Sequence, residues 1–349
     1  LFRDAIALAM QRGDIASAFA YAERSRAHVG TVPASAKEIQ HRLRGSDAAV
    51  LEIVVLDDEV VTFCVTADGI AVGRASYDES ARDPARLYDA TVRGVERAIA
   101  NVHHLIFVPD PALDGVSFGA LYDSVSRTHL IERAAVSVAL SASSLQLAPN
   151  TKPSSVLAIA LPSGESAGTV GLPQIARELT DVRALYARSI GAADHATFAE
   201  LATSAANADV VHIAGHTQQR AGAAGTGLRF GDHEWASWRN VAASRFDEKA
   251  TIVLAACETL RRPQYGRGFE LSLGGGFLAA GAGNVIGTLD VIADDDAYEI
   301  FRSVHRQLAA GTDAAEAVRR TQIEALASHR TTAWQSIAVL TRTIPSREK

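Results

Sequence analysis

The chain has 349 residues, 48% of them hydrophobic and 21% charged, with a formal net charge of −6. That apolar content excludes a disordered chain. The mild acidity argues against a nucleic-acid-binding face, which has to be basic, and no apolar run reaches the roughly 20 residues a bilayer span needs.

The length predicts about two domains. Two cysteines, Cys64 and Cys257, do not make a disulfide framework and suit a reducing compartment. The opening LFRDAIALAM lacks the basic and apolar regions of a secretory signal. Together these predict a cytoplasmic protein, and the missing initiator Met suits the C-terminal piece of something longer.

Residues 1–29 read as two short helices. Ala5, Leu8 and Ala9 share one face, Gly13-Asp14 breaks the run with Asp14 as an N-cap, and Ala18, Phe19 and Ala22 recur at helical spacing. Small residues at the contact suit one unit of a helical repeat, and a plain capping hairpin suits them equally. One repeat cannot bury its own face, so further repeats are expected upstream.

Residues 30–44 form a linker with one helical stretch. From Ala48 the runs VLEIVVL, VVTFCVT and GIAVGRA, separated by DDE and ADG, predict an antiparallel meander. Cys64 lies in the second of these as a small core residue. Asp83-Pro84 opens a helix expected to end near Asn101. HLIFVPD reads as a buried strand, with His103-His104 as its solvated entry.

From about Ser155 the rhythm changes. SVLAIAL, DVVHIAG, TIVLAAC, NVIGTL and WQSIAVLT are strands. IARELTDVRALYAR, FELSLGGGFLAA, DDDAYEIFRSVHRQLAAG and TDAAEAVRRTQIEALA are helices, and GLRFGDHEW is a hairpin with a Gly-Asp turn. Alternating apolar strands and helices predict an α/β fold with a mostly parallel sheet flanked by helices.

Ligands of open α/β sheets bind beyond the carboxyl ends of the strands. DVVHI ends at Ala214-Gly215-His216 and TIVLA at Ala256-Cys257-Glu258. If these strands are neighbours, about 4.8 Å apart, an imidazole and a thiol meet at one sheet edge. Such a His draws the thiol proton, the thiolate attacks an acyl carbon, and the His then protonates the leaving amine. Taken singly, either residue also suits packing. His212 lies within its strand as a core residue. A zinc pair with His216 would need a helix, so no metal and no cofactor are expected.

The glycines from Gly274 to Gly287 end a helix and open a strand, the reverse of a dinucleotide fingerprint. Close helix–sheet packing and a helix C-cap explain them better. Asp294, Asp295 and Asp296 sit where a helix begins. N-capping and the helix dipole account for at least two of them, which leaves one to line a pocket near Asp290.

VVHIAGHT followed by IVLAACET resembles the CHAT family of caspase-like, TPR-associated cysteine peptidases. FVPDPALDGVSFGALYD, HLIERAAVSVALSASSL, GGGFLAAGAGNVIGTLDVIADDDA and TTAWQSIAVL resemble further family segments in the same order, from about Ala48 to Leu340. YAERSRA resembles the end of a TPR array.

The resemblance implies a caspase–gingipain-like α/β fold in three parts. A TPR-like helical remnant and linker occupies 1–44, an inactive caspase-like half 45–150, and a catalytic caspase-like half 151–349. It implies His216 and Cys257 as the dyad, with the backbone N–H groups of Cys257 and Thr217 as oxyanion donors. It also implies a protein substrate and control by upstream TPR repeats or a regulatory protein, while the charge balance and hydropathy predict neither nucleic acid nor membrane as partner.

Thr217 departs from the small residue usual after the family's His. Asp290 stands where the family often has Trp. Asp290 or Asp294 would favour a basic P1 side chain by charge-assisted pairing, and Glu258 either contacts substrate or orients the loop. Two rival readings are a catalytically silent scaffold and a nucleotide-binding α/β protein, and the reversed glycine order predicts no nucleotide binding.

Overall fold

A computed structural model describes residues 1–26, 32–78, 82–161, 172–191, 197–220, 225–230, 234–263, 270–329 and 331–347. The chain divides into two compact units, Leu1–Asn150 with Thr341–Lys349, and Thr151–Leu340.

The first unit opens with α1 (Phe2–Gln11), α2 (Ile15–Arg26) and α3 (Ala36–Leu43). Ser35 and Glu38 close a capping box on α3, satisfying two backbone donors that a helix start would otherwise leave open. The meander follows as β1 (Ala48–Val55), β2 (Glu59–Val65) and β3 (Ile70–Ser76), paired antiparallel. Residues alternate between the faces of β1. Val50 and Val54 join Ile6, Phe19, Ala22, Ile39 and Leu43 in one core, and Leu51 and Ile53 join the core on the other face. Phe19 meets Phe63 edge-to-face at 5.9 Å. Ile6 and Ala9 of α1 and Ala18, Phe19 and Ala22 of α2 are thus buried within this chain, whereas Leu8, on the predicted face, is 47% exposed.

α4 (Pro84–Thr91) starts as expected, with the Asp83 carboxylate accepting from the N–H groups of Ala85 and Arg86. It ends ten residues short of the predicted Asn101 and passes into a 3-10 turn over Arg93–Val95. Just beyond this end the chain closes on β3: a Cβ on Gly94 would lie 2.8 Å from Gly73 Cα. A regular helix with side chains has no room there.

β4 (His104–Val108) lies parallel to β1. His103 is exposed, but His104 is buried and its Nε2 bonds Ser137 Oγ at 2.8 Å. The His pair therefore splits between solvent and core instead of forming a solvated entry. A small hairpin of β5 (Tyr122–Asp123) and β6 (Thr128–His129) leads to α5 (Leu130–Arg133). Next come β7 (Ala135–Val138), parallel to β4, and β8 (Gln146–Ala148). The strand order is β7-β4-β1-β2-β3.

The second unit contains β9 (Ser155–Ala160), α6 (Ile175–Ala184), β10 (Arg188–Ser189), α7 (Phe198–Ala205) and β11 (Val210–Ala214). β12 (Thr217–Arg220), β13 (Gly225–Phe230) and β14 (Glu234–Ser237) make a separate three-stranded antiparallel sheet. The Gly-Asp turn of the expected hairpin lies outside the described residues. α8 (Trp238–Ala242), β15 (Thr251–Ala255), α9 (Leu273–Ala279) and β16 (Asn284–Thr288) follow. The unit continues with α10 (Asp294–Ala309), α11 (Ala314–Ser328) and β17 (Ile337–Thr341).

The strand order here is β10-β9-β11-β15-β16-β17, and the neighbours from β10 through β16 are parallel. The fold is α/β with a large, mostly parallel sheet and flanking helices. The glycines of α9 serve close packing. A Cβ on Gly276 would stand 2.7 Å from the backbone oxygen of Trp238 in α8, and one on Gly274 would stand 2.4 Å from Leu260 Cδ2.

The sequence placed residues 341–349 with the second half. They belong to the first unit, because β18 (Thr343–Pro345) pairs with β8 and buries Ile344 in the core under α1–α3. No helix among the described residues is long and apolar enough to cross a membrane. Among those residues no group of three or more His, Cys, Asp or Glu side chains could hold a metal ion.

Candidate functional site

β11 and β15 are adjacent and parallel, with Ala214 opposite Ala255. The contact continues beyond the strands. Gly215 N–H donates to Ala255 O at 3.2 Å, and Thr217 Oγ1 donates to Cys257 O at 2.8 Å. His216 and Cys257 each stand two residues past these register partners, on adjacent loops, and both are half-buried.

Gly215 makes the turn into the first loop. Its φ is +149°, and a Cβ there would lie 2.7 Å from Leu161 Cβ, so a side-chain-bearing residue would be strained and crowded. Cys64 is different in kind: it is fully buried, and burial pushes its thiol up to about 12. A thiol in that state supplies no thiolate at neutral pH.

The Cys257 loop is laced to the end of β16. Leu260 N–H donates to Thr288 O at 2.9 Å. Thr288 N–H donates to Thr259 Oγ1 at 3.1 Å, and Thr288 Oγ1 to Ala256 O at 2.8 Å. Gly287 leaves the space for this seat, since a Cβ there would stand 2.4 Å from Thr259 Oγ1.

Glu258 ties the loop to its other neighbour. Its Oε2 accepts from Gln219 Nε2 of β12 at 2.7 Å. Arg261 bridges Glu258 Oε1 and Asp290 Oδ1, at 3.5 Å to each. Glu258 therefore links the two candidate loops.

Glu258 also has φ +54°, the left-handed region that favours glycine. Its carboxylate contacts and its backbone conformation can be separated by substitution. Glu258→Ala loses the contacts and keeps the strain, whereas Glu258→Gly loses the contacts and relieves it. Urea denaturation should find the alanine variant less stable than the glycine variant by about 1 kcal/mol. Equal stabilities would show that the backbone there carries no strain.

The other expected site residues have partners of their own. Asp290 is exposed and paired with Arg261. Asp294 Oδ2 accepts from Gln174 N at 3.1 Å, and Asp295 Oδ1 from Gln174 Nε2 at 2.9 Å, both at the start of α6. Asp296 accepts from Thr331 Oγ1. None of the three caps α10, whose N-cap is Ala293. They favour its dipole while tying down neighbouring segments. Thr217 begins β12 opposite Leu228.

Beneath β11 lies a group the sequence did not assemble. His212 is fully buried. Its Nδ1 bonds His305 Nε2 of α10 at 3.0 Å, and His305 Nδ1 bonds the Tyr186 hydroxyl at 2.8 Å. On the other side, His212 Nε2 lies 3.2 Å from Glu178 Oε1 of α6. The two atoms are close, but the ring N–H is angled away from a proper hydrogen bond.

No curated protein matches the chain. Among solved structures, it is similar to separase in the Saccharomyces cerevisiae separase–securin complex, with 13% identity and a TM-score of 0.48 over 74% of this chain and 17% of that one. It is also similar to the Arg-specific cysteine proteinase gingipain R, with 9% identity and a TM-score of 0.46 over 72% of this chain and 68% of that one. The complex of the pro- and mature domains of Porphyromonas gingivalis RgpB gives 9% identity and a TM-score of 0.41, over 72% and 69%. The chain thus spans less than a fifth of the separase chain. The CHAT domain profile matches residues 82–342, most of the sequence, and the chain belongs to the CHAT domain family.

Proposed function

We propose that this chain is a cysteine endopeptidase that hydrolyses a peptide bond in a partner protein, with His216 and Cys257 as its dyad. The observation that carries this reading is the register of β11 and β15, which brings the His and Cys loops side by side at the carboxyl edge of a parallel sheet. Membership of the CHAT family supports it.

In this mechanism His216 accepts the Cys257 Sγ proton. The thiolate attacks the scissile carbonyl carbon, and the tetrahedral oxyanion is met by the backbone N–H groups of Cys257 and Thr217. The C–N bond breaks as the imidazolium protonates the departing amine. Water, giving a proton to His216, then attacks the thioester carbonyl and releases the carboxylate product and the free thiol. No metal or cofactor is called on.

Asp290 would receive a basic P1 side chain in exchange for Arg261. Asp294 is the weaker candidate, because its carboxylate already serves the Gln174 backbone. Glu258 is assigned to orienting the loop. The reading includes a cytoplasmic setting and gating by TPR repeats or a regulatory protein. The pairing of Asp290 with Arg261 also suits a second reading, a catalytically silent scaffold with a self-neutralised rim.

Alkylation of Cys257 by iodoacetamide separates the two readings. The dyad predicts selective labelling of Cys257 at neutral pH, slowed about a hundredfold by His216→Ala, the scale of general-base assistance. Labelling as slow as that of an ordinary thiol, and indifferent to His216→Ala, would favour the scaffold.

A further inference from the structure

The peptidase chemistry leaves the buried chain Glu178–His212–His305–Tyr186 unused. All four residues are buried, the two histidines completely. They come from three elements: Glu178 from α6 with Tyr186 just beyond its end, His212 from β11, and His305 from α10. The charged neighbours are engaged elsewhere. Arg183 of α6 donates to Ala158 O of β9, and Asp181 accepts from the Tyr298 hydroxyl and pairs with Arg302 of α10. β9 and β15 face this core with Val156, Ala158 and Val253.

The order of donors along the chain follows from its ends. Burial raises the Tyr186 hydroxyl well above its usual range, so it keeps its proton and can donate. Burial, and then the nearby His212 ring, hold His305 well below the ordinary imidazole range, so it is neutral and carries one N–H. With Tyr186 donating to His305 Nδ1, the His305 proton must sit on Nε2 and point at His212 Nδ1. His212 then carries its own proton on Nε2, 3.2 Å from Glu178 Oε1 though angled off the line of a hydrogen bond. With His212 neutral as well, reversing the order would leave a bare His212 Nε2 lone pair against a buried carboxylate, which is repulsive in a low-dielectric site.

We propose that Tyr186, His305 and Glu178 are positioning residues for His216: Tyr186, as the terminal donor, sets the tautomers of His305 and His212, and the completed chain pins β11, and so the loop carrying His216, against α6 and α10. Only three residues separate His212 from His216, and β11 is continuous up to the Gly215 turn. This role rests on the peptidase reading. The chain does not touch substrate, and none of its members is a catalytic residue.

Tyr186→Phe tests the idea, because it removes one oxygen and keeps the ring that packs edge-on against His305 at 5.8 Å. Imidazole 15N spectra of the full chain at neutral pH should show both His212 and His305 as Nε2–H tautomers. In Tyr186→Phe both should redistribute, and the His216 ring resonances should shift. Cys257 alkylation should slow about tenfold in Tyr186→Phe and in Glu178→Gln, within the range that slight misplacement of a reacting group costs.

Unchanged tautomers, or unmoved His216 resonances together with labelling within about twofold of wild type in both variants, would overturn the proposal. Labelling that ignores His216→Ala would count against the peptidase reading, while the tautomer and His216 spectra would still decide whether the buried chain reaches that loop.

Discussion

Cleavage by the Cys257→Ala variant should fall by at least about a thousandfold, to the residue left when a covalent catalyst loses its nucleophile. The substitution deletes one half-buried sulfur. The carbonyl that Thr217 grips, the Thr259–Thr288 seat and the Glu258–Gln219 link all survive it. Thermal melting should therefore match wild type, which separates lost chemistry from lost folding. The readout is the set of new protein N-termini produced in a lysate, wild type against variant, since the substrate is defined by what is cut. A variant that generates the same termini at the same rate would remove Cys257 from the mechanism. Cys257→Ser, which keeps the shape and exchanges the thiol for a far less acidic hydroxyl, should be similarly inactive.

That this loop could be picked out in advance follows from simple patterning. DVVHIAG and TIVLAAC are short, mostly apolar runs closed by small residues, and the strands within them are fully buried and parallel. Their adjacency is a condition that the two runs alone do not meet, and the register supplies it. The meander was legible for a similar reason, because DDE and ADG interrupt β-branched runs at turn positions.

What escaped depended on contacts between distant residues. Gly94, three residues past Thr91, is the local sign that α4 ends, but its packing against Gly73 of β3 is seen only in the fold. Residues 341–349 look like any tail, and only pairing with Gln146–Ala148 assigns them. The acidic start of α10 reads locally as a cap, yet Asp294 and Asp295 act on Gln174, 120 and 121 positions away. His305 left one clue: it follows Phe301 by four residues, on the helix face that packs inward. A polar residue on such a face needs partners. Identifying them as His212, 93 residues earlier, and Tyr186, 119 residues earlier, required the fold.

The first unit holds a second buried polar joint, and breaking it should be costly. Glu52 lies at 0% exposure in the middle of β1, on the face covered by α1–α3. Arg26, at the end of α2, places Nη1 2.9 Å from Glu52 Oε1. Its guanidinium also bonds the carbonyls of Ala22, Ile53 and Val108. Beside it, Glu23 accepts from the backbone N–H groups of Ala142 and Ser143.

Burial pushes the Glu52 carboxyl well above its usual range, Arg26 pulls it back, and Glu23 pushes it up again. Arg26→Leu removes the opposing cation and leaves an acid and several carbonyls without their donor. A loss of about 3–5 kcal/mol is expected in urea denaturation of the first unit. The sign of the pH dependence follows from the raised carboxyl. Its contribution is most favourable below the unfolded-state value of 4.5 and is lost as pH rises through the higher folded value. Without Arg26 that folded value rises further, so the deficit relative to wild type should be larger at mildly alkaline than at mildly acidic pH.

The double variant Arg26→Leu/Glu52→Leu removes both charges and should recover most of the loss, because an apolar pair has nothing left to desolvate. A single variant that loses less than about 1 kcal/mol, the level of an exposed pair, would show that the joint is solvated. A double variant no more stable than Arg26→Leu would show that the guanidinium acts through its carbonyl contacts and not through Glu52.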